Sequence, residues 1–197
     1  MWWNDWYNNK IEKFSKIRII MKKKFYCLLF KDEKKYGIPM SPQGFDTLFG
    51  KEVKPVIIPD GCTFTIFDGE FAPFHNSNTR AHFVNEELKN LIKDFLPQNY
   101  PLEFLPIIIH NNQWGDKQYY LLHFTEIFDV IDLGHSKILP STGDIAVPAI
   151  CYEKAKDLDF FNSIAYKDCF IVSDKLRKEM KKRGLDRGMQ FWEWKSY

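Results

Sequence analysis

No stretch of this chain approaches the roughly 20 consecutive apolar residues that a membrane-spanning helix needs, so nothing in it reads as a span. Cysteine is scarce: four in 197 residues (Cys27, Cys62, Cys151, Cys169), far apart and without a CxxC pair. That spacing gives neither a disulfide framework nor a zinc ligand set, and without a secretion signal the expectation is free thiols in a reducing cytoplasm. Motifs of common enzymes are missing as well, with no GxSxG, no GxxxxGK[ST] and no HExxH. Neither sign of charge dominates. The formal net charge is +2, and the first twenty residues, with four cations against two acids, account for it. Residues 21–197 are therefore neutral, which leaves no electrostatic footprint for nucleic acid or anionic lipid.

What is present is apolar and aromatic. Hydrophobic residues make up 45% of the chain and aromatics 17%, ample material for a packed core rich in sheet. The first twenty residues differ from the rest, holding Trp2, Trp3 and Trp6 with no regular period, and they end just before Met21-Lys22-Lys23-Lys24. They read as a non-native or flexible N-terminal extension, with Met21 as the native initiator. Residues 21–197 read as a single domain, with possible halves 21–125 and 126–197. A secretory reading of the stretch from Met21 is weaker, because its apolar run is short and meets Lys31–Lys35.

Two stretches resemble one another. In Phe170–Trp194 an apolar run meets Ser173, a good N-cap, with Asp174 in the first turn. Leu176 and Met180 follow at helical spacing, Gly184 stands where a left-handed residue would end the helix, and Phe191–Trp194 alternates as a strand. In Phe83–Ile109, Asn85 takes the cap position, Leu88, Leu91, Ile92 and Phe95 the helical stripe, and Leu102–Ile109 the strand. Shifted by about 88 positions, Val84 falls on Val172, Asn85 on Ser173, Glu86 on Asp174, Leu88 on Leu176, Lys89 on Arg177, Ile92 on Met180 and Lys93 on Lys181. One residue less places Phe104 on Phe191. These are two related cap–helix–strand units, each too small to bury its own apolar face. The competing explanation is chance similarity between two amphipathic helices.

Elsewhere the pattern predicts strands at Met21–Phe30, Cys62–Phe67, Tyr119–Phe124, Ile127–Leu133 and Ile145–Tyr152. Val53–Ile58 is a short apolar run before a turn. Phe71–Arg80 reads as irregular, Gly134–Gly143 as loop, and Asp157–Tyr166 as a bridging segment of undefined type. The fold class that follows is α+β: a mixed or antiparallel sheet with few helices, built around the two related units.

Chemistry-bearing residues are scattered. His110 and His123 could meet across a hairpin in register, but no carboxylate or thiolate sits at a supporting spacing, and they read as surface or half-buried hairpin residues. Asp129 and Asp132 are close in sequence but read as loop and strand-edge residues. The basic run Lys175, Arg177, Lys178, Lys181, Lys182, Arg183 and Arg187 reads as a solvated helix face rather than a phosphate contact. Trp192 and Trp194, two apart on a strand, share a face and read as core. No catalytic residue, metal or cofactor emerges. The candidate for contact with a partner is the polar, Trp-bearing hairpin tip, Asn111, Asn112, Gln113, Trp114 and Asp116; a plain solvent loop is the alternative.

A resemblance adds to this. Phe170-Ile171-Val172-Ser173-Asp174-Lys175-Leu176, the charged helix after it, Gly184, Gly188 and Phe191 resemble the C-terminal signature of bacterial polymorphic-toxin immunity proteins. The type is immunity protein eleven, formerly domain of unknown function sixteen twenty-nine. Leu102–Ile107, Tyr119–Leu122 and Val130-Ile131-Asp132 resemble that family's middle section, so the likeness covers about Phe83 to Trp194. It departs at Trp192-Glu193-Trp194, where the family's closing strand tends to be aliphatic with a proline, and at Asp157–Tyr166, which matches in outline alone. The resemblance implies a cytoplasmic, non-catalytic protein that binds one cognate toxin domain and neutralises it by occlusion. On that reading no cofactor is involved, and the hairpin tip chosen from the sequence would be part of the toxin-binding patch; it is the charge balance and hydropathy that leave out nucleic acid and membrane. A small-molecule or peptide-binding module is the alternative, and an enzyme with a spatially assembled site stands third.

Overall fold

The computed structural model describes residues 22–31, 35–43, 45, 56, 58–163 and 166–197, and the backbone alone for 166–169. In chain order the elements are β1 (Phe25–Phe30), β2 (Thr63–Ile66), β3 (Phe74–Asn76), β4 (His82–Val84), α1 (Glu86–Lys93), β5 (Leu102–Asn111) and β6 (Gly115–Phe124). There follow β7 (Lys137–Ile138), β8 (Ile145–Val147), α2 (Tyr152–Ala155), β9 (Phe160–Ser163), β10 (Tyr166–Ser173), α3 (Asp174–Lys182) and β11 (Met189–Trp194). The fold is α+β. One sheet runs β2-β5-β6-β4-β3, with β2 parallel to β5 and the other pairs antiparallel; a second, wholly antiparallel, runs β11-β1-β10-β9. β7 and β8 form a small ribbon of their own.

Both helices of the related units start as their sequences dictate. The Asn85 side chain accepts from the Leu88 N–H at 2.9 Å, and the Ser173 hydroxyl from the Leu176 N–H at 3.2 Å, each satisfying a donor that the helix cannot. Leu88, Leu91 and Ile92 on α1, and Leu176 and Met180 on α3, are fully buried. Gly184 ends the last turn with φ +66°, a conformation that costs glycine nothing and a side chain about 1–2 kcal/mol. In each unit the strand before the helix and the strand after it flank a third, antiparallel strand: β6 between β4 and β5, β1 between β10 and β11.

The likeness extends to side-chain contacts. Lys89 lies 3.6 Å above the Tyr120 ring and pairs with Glu86 at 2.7 Å; Arg177 lies 4.1 Å above Tyr26 and pairs with Asp174 at 2.7 Å. Lys93 stands over Phe104 and Lys181 over Phe191. His82 and Phe170, equivalent under the same shift of 88, touch each other with ring centroids 4.7 Å apart, so the two units face one another about that contact. The core between them draws on both sheets and both helices, including Leu28, Val84, Leu88, Leu122, Phe124, Phe160, Val172, Leu176 and Met180. The outer face of each sheet has its own smaller cluster: Phe25, Ile150, Phe161, Ile171 and Trp194 on one, Phe64, Phe83, Ile109 and Leu121 on the other.

Several expectations are corrected. Phe71–Arg80 is not wholly irregular, since Phe74–Asn76 is a strand on β4, and Asp157–Tyr166 contains β9 and the start of β10. These strands are too short to show an alternation in sequence, and pairing alone fixes them. Ile127–Leu133 makes a single bridge, Ile131 to Ile150, and of Ile145–Tyr152 only Ile145–Val147 is strand, with Tyr152 opening α2. Gly134–Gly143 includes β7. Trp194 is buried but Trp192 is 55% exposed, because β11 is the outermost named strand of its sheet and nothing described covers Trp192. The readings of 1–20, of Met21 and of much of Val53–Ile58 fall outside the described residues.

Candidate protein-binding surface at the hairpin tip

β5 and β6 form the longest hairpin, in register from Leu102 opposite Phe124 to Asn111 opposite Gly115. Its tip is held from inside by Asn111, which is 2% exposed. The Asn111 amide donates to the Gly69 carbonyl at 2.9 Å, and its oxygen accepts from the Gln113 and Trp114 N–H groups at 2.9 and 3.2 Å. An asparagine side chain thus closes the turn, and Gly115 with φ +73° lets the chain return into β6. On the flank, His110 Nδ1 and Asp116 Oδ1 are 2.6 Å apart. β2 reaches the tip too: Ile66 pairs with Asn111, and its carbonyl accepts from the Asn112 N–H at 3.2 Å.

This brings Phe67, 64% exposed, beside a tip that carries Trp114 at 59%. Asn112, Gln113 and Asp116 are exposed around them. Of the five expected residues, four therefore face outward, and Asn111 positions them. Phe67 joins the surface without having been expected there, and His110 stands half-exposed on the hairpin. The parallel pairing of β2 with β5 delivers Phe67, and no local signal announces a parallel pair. Below the tip the strands are braced: Lys117 lies 4.5 Å over Phe71, Phe71 stacks on Tyr119, and the Tyr119 hydroxyl donates to the Ala72 carbonyl at 2.8 Å. Burial raises that phenol well above its ordinary pKa, so it stays a donor. An exposed tryptophan on a braced turn, with exposed amides and a self-paired His–Asp couple around it, suits the centre-and-rim pattern of protein recognition.

The other expected constellations do not assemble. Register sets His110 opposite Asp116 and His123 opposite Glu103, at opposite ends of the hairpin, so the two histidines do not meet. Asp129 pairs with Lys154 at 2.6 Å and Asp132 with His135 at 2.8 Å. The latter contact holds the Asp132 carboxyl below its usual range. On α3 the cations are spent on neighbours. Arg177 and Lys178 pair with Asp174, Lys182 and Arg183 with Glu179, while Lys175 and Lys181 stand over Phe95 and Phe191. Among the described residues, no group of three or more His, Cys, Asp or Glu is placed to hold a metal ion.

Two other features stand on the surface. A shallow groove of about 400 Å³ runs along β5, lined by Ile58, Pro59, Cys62, Leu105, Ile107 and Gln118. The β7–β8 ribbon exposes Ile138, Leu139 and Val147, with Leu133 before it. Among the described residues, no helix is long and apolar enough to cross a membrane. The chain matches no family model, and no curated protein matches it.

Proposed function

We propose that this protein is an immunity protein that binds a cognate bacterial toxin domain in the cytoplasm and neutralises it by occlusion, without catalysis of its own. The observation that carries the reading is the hairpin tip, where Trp114 stands exposed on a turn closed by Asn111, with exposed Phe67 following the β2 strand that pairs with Asn111. A pre-ordered aromatic anchor loses little conformational entropy on binding, which is what tight, specific association requires. The resemblance of Phe170–Leu176 and its flanks to the immunity family supports the same reading. Its test is co-expression with a candidate cognate toxin domain, sought among the genes adjacent to its own. Growth should be rescued, the two proteins should elute together on gel filtration, and Trp114→Ala should weaken both. Rescue undiminished by Trp114→Ala would move the interface elsewhere, and absence of rescue would end the proposal.

The second reading, a small-molecule or peptide-binding module, draws on the groove along β5. Its size is within the range of ligand sites, but it is open, with apolar walls and few polar groups converging on it.

A further inference from the structure

β1 and β6 occupy equivalent slots in the two sheets, and their sequences match as well. Lys23-Lys24-Phe25-Tyr26-Cys27-Leu28-Leu29-Phe30 aligns with Lys117-Gln118-Tyr119-Tyr120-Leu121-Leu122-His123-Phe124, identical at four of eight positions and apolar at three others in one or both. Their contacts correspond pair by pair. Tyr26 lies opposite Val172 and under Arg177; Tyr120 lies opposite Val84 and under Lys89. Leu28 opposes Phe191 as Leu122 opposes Phe104. The outer strands correspond too. Phe74 pairs with Val84 as Phe160 pairs with Val172, within the matching strings Phe74-His75-Asn76-Ser77 and Phe160-Phe161-Asn162-Ser163. Phe64 runs parallel beside Ile109 as Ile150 does beside Ser196.

In chain order, then, the same series occurs twice: β1, β2, β3, β4, α1, β5, and then β6, the Ile150 bridge, β9, β10, α3, β11. The first strand of each series, however, lies in the other's sheet. β1 sits between β10 and β11, and β6 between β4 and β5.

We infer that the chain is a tandem duplication whose two repeats have exchanged their leading strands. Each repeat thus presents a strand-accepting slot between two parallel strands, and the partner that fits it is an antiparallel strand with Tyr-x-Leu-x-Phe on one face. The slot is lined on its inner side by a helix cation for the tyrosine and by apolar residues for the leucine and phenylalanine. The junction between the repeats is the hairpin tip, Asn112 to Trp114. The chain's described ends form the matching junction: Lys22 stands 5.6 Å over the Tyr152 ring, and the Tyr197 carbonyl accepts from the Tyr152 N–H at 2.9 Å. A sheet deprived of its middle strand would leave two rows of backbone donors and acceptors unpaired, so neither repeat is complete without the other.

The test uses the full chain with a protease site inserted between Gln113 and Trp114. After cleavage of the folded protein, the two pieces should migrate as one particle of native mass and unfold in one transition. Separated in denaturant, each should recover strand signal only on remixing. Pieces that part under native conditions, each keeping its sheet, would overturn the exchange. The equivalence of the slots is tested apart from any insertion, by giving β1 the sequence of β6 through Phe25→Tyr, Cys27→Leu and Leu29→His. The expected result is one cooperative transition lowered by less than about 10 °C. Loss of cooperative unfolding in that variant would overturn the duplication.

Discussion

Trp114 and Asn111 are three residues apart and do opposite work. The Trp114 side chain is exposed and open to a partner's pocket; Asn111 is buried and shapes the turn that carries it. Trp114→Ala should therefore leave stability within about 0.5 kcal/mol of the parent. It should weaken toxin association by at least about 2 kcal/mol, roughly thirtyfold in Kd, read by calorimetry. Asn111→Ala should cost about 1–3 kcal/mol of stability, by removing the donor to Gly69 and the acceptor for two N–H groups. Two buried histidines set the pH response. Burial lowers both His82 and His75 to about 4. Since the unfolded chain takes up these protons near pH 6.5 and the folded chain only near 4, the folded state binds fewer protons in between. Stability should fall as pH drops through that window, by about 3 kcal/mol for each histidine at its lower end. His82→Phe, which places at this position the residue its counterpart Phe170 already has, should flatten a plot of Tm against pH by about one proton. An unchanged slope would refute the assignment.

At the scale of elements, the two cap–helix–strand units allow paired measurements. Leu88→Ala and Leu176→Ala remove equivalent, fully buried side chains and should each cost about 2–5 kcal/mol in denaturant unfolding. The caps should not be equal. Asn85→Ala loses one cap bond, worth about 1 kcal/mol. Ser173 also donates its hydroxyl to Asp159, whose carboxylate pairs with Lys23 at 2.8 Å, so Ser173→Ala should cost about 2 kcal/mol. Equal costs would show that the Asp159 contact contributes nothing. The units were legible because their signals are local: a cap oxygen, an apolar stripe at helical spacing and a stop glycine all act within a few residues. β3 and β9 were not, because three or four residues carry no period of their own and become strands only when β4 and β10 offer an edge.

For the whole molecule, the governing fact is one core shared by both sheets and both helices, in which β1 belongs with the C-terminal strands and β6 with the earlier ones. Neither half can melt and leave the other its core. Thermal unfolding should therefore be a single transition with calorimetric and van't Hoff enthalpies equal; two resolved transitions would contradict this. What the sequence determined by itself is what depends on near neighbours: the α+β class, the capped helices, the hairpin with Trp114 at its tip, and a likeness between two stretches about 88 residues apart. Which strand fills which sheet, that β2 carries Phe67 to the end of the long hairpin, and that His110 and His123 lie far apart were decided only in three dimensions. Those outcomes rest on register and pairing between distant segments, where the free energy comes from burying a common face and satisfying backbone groups, and a short run of residues encodes neither its partner nor its offset.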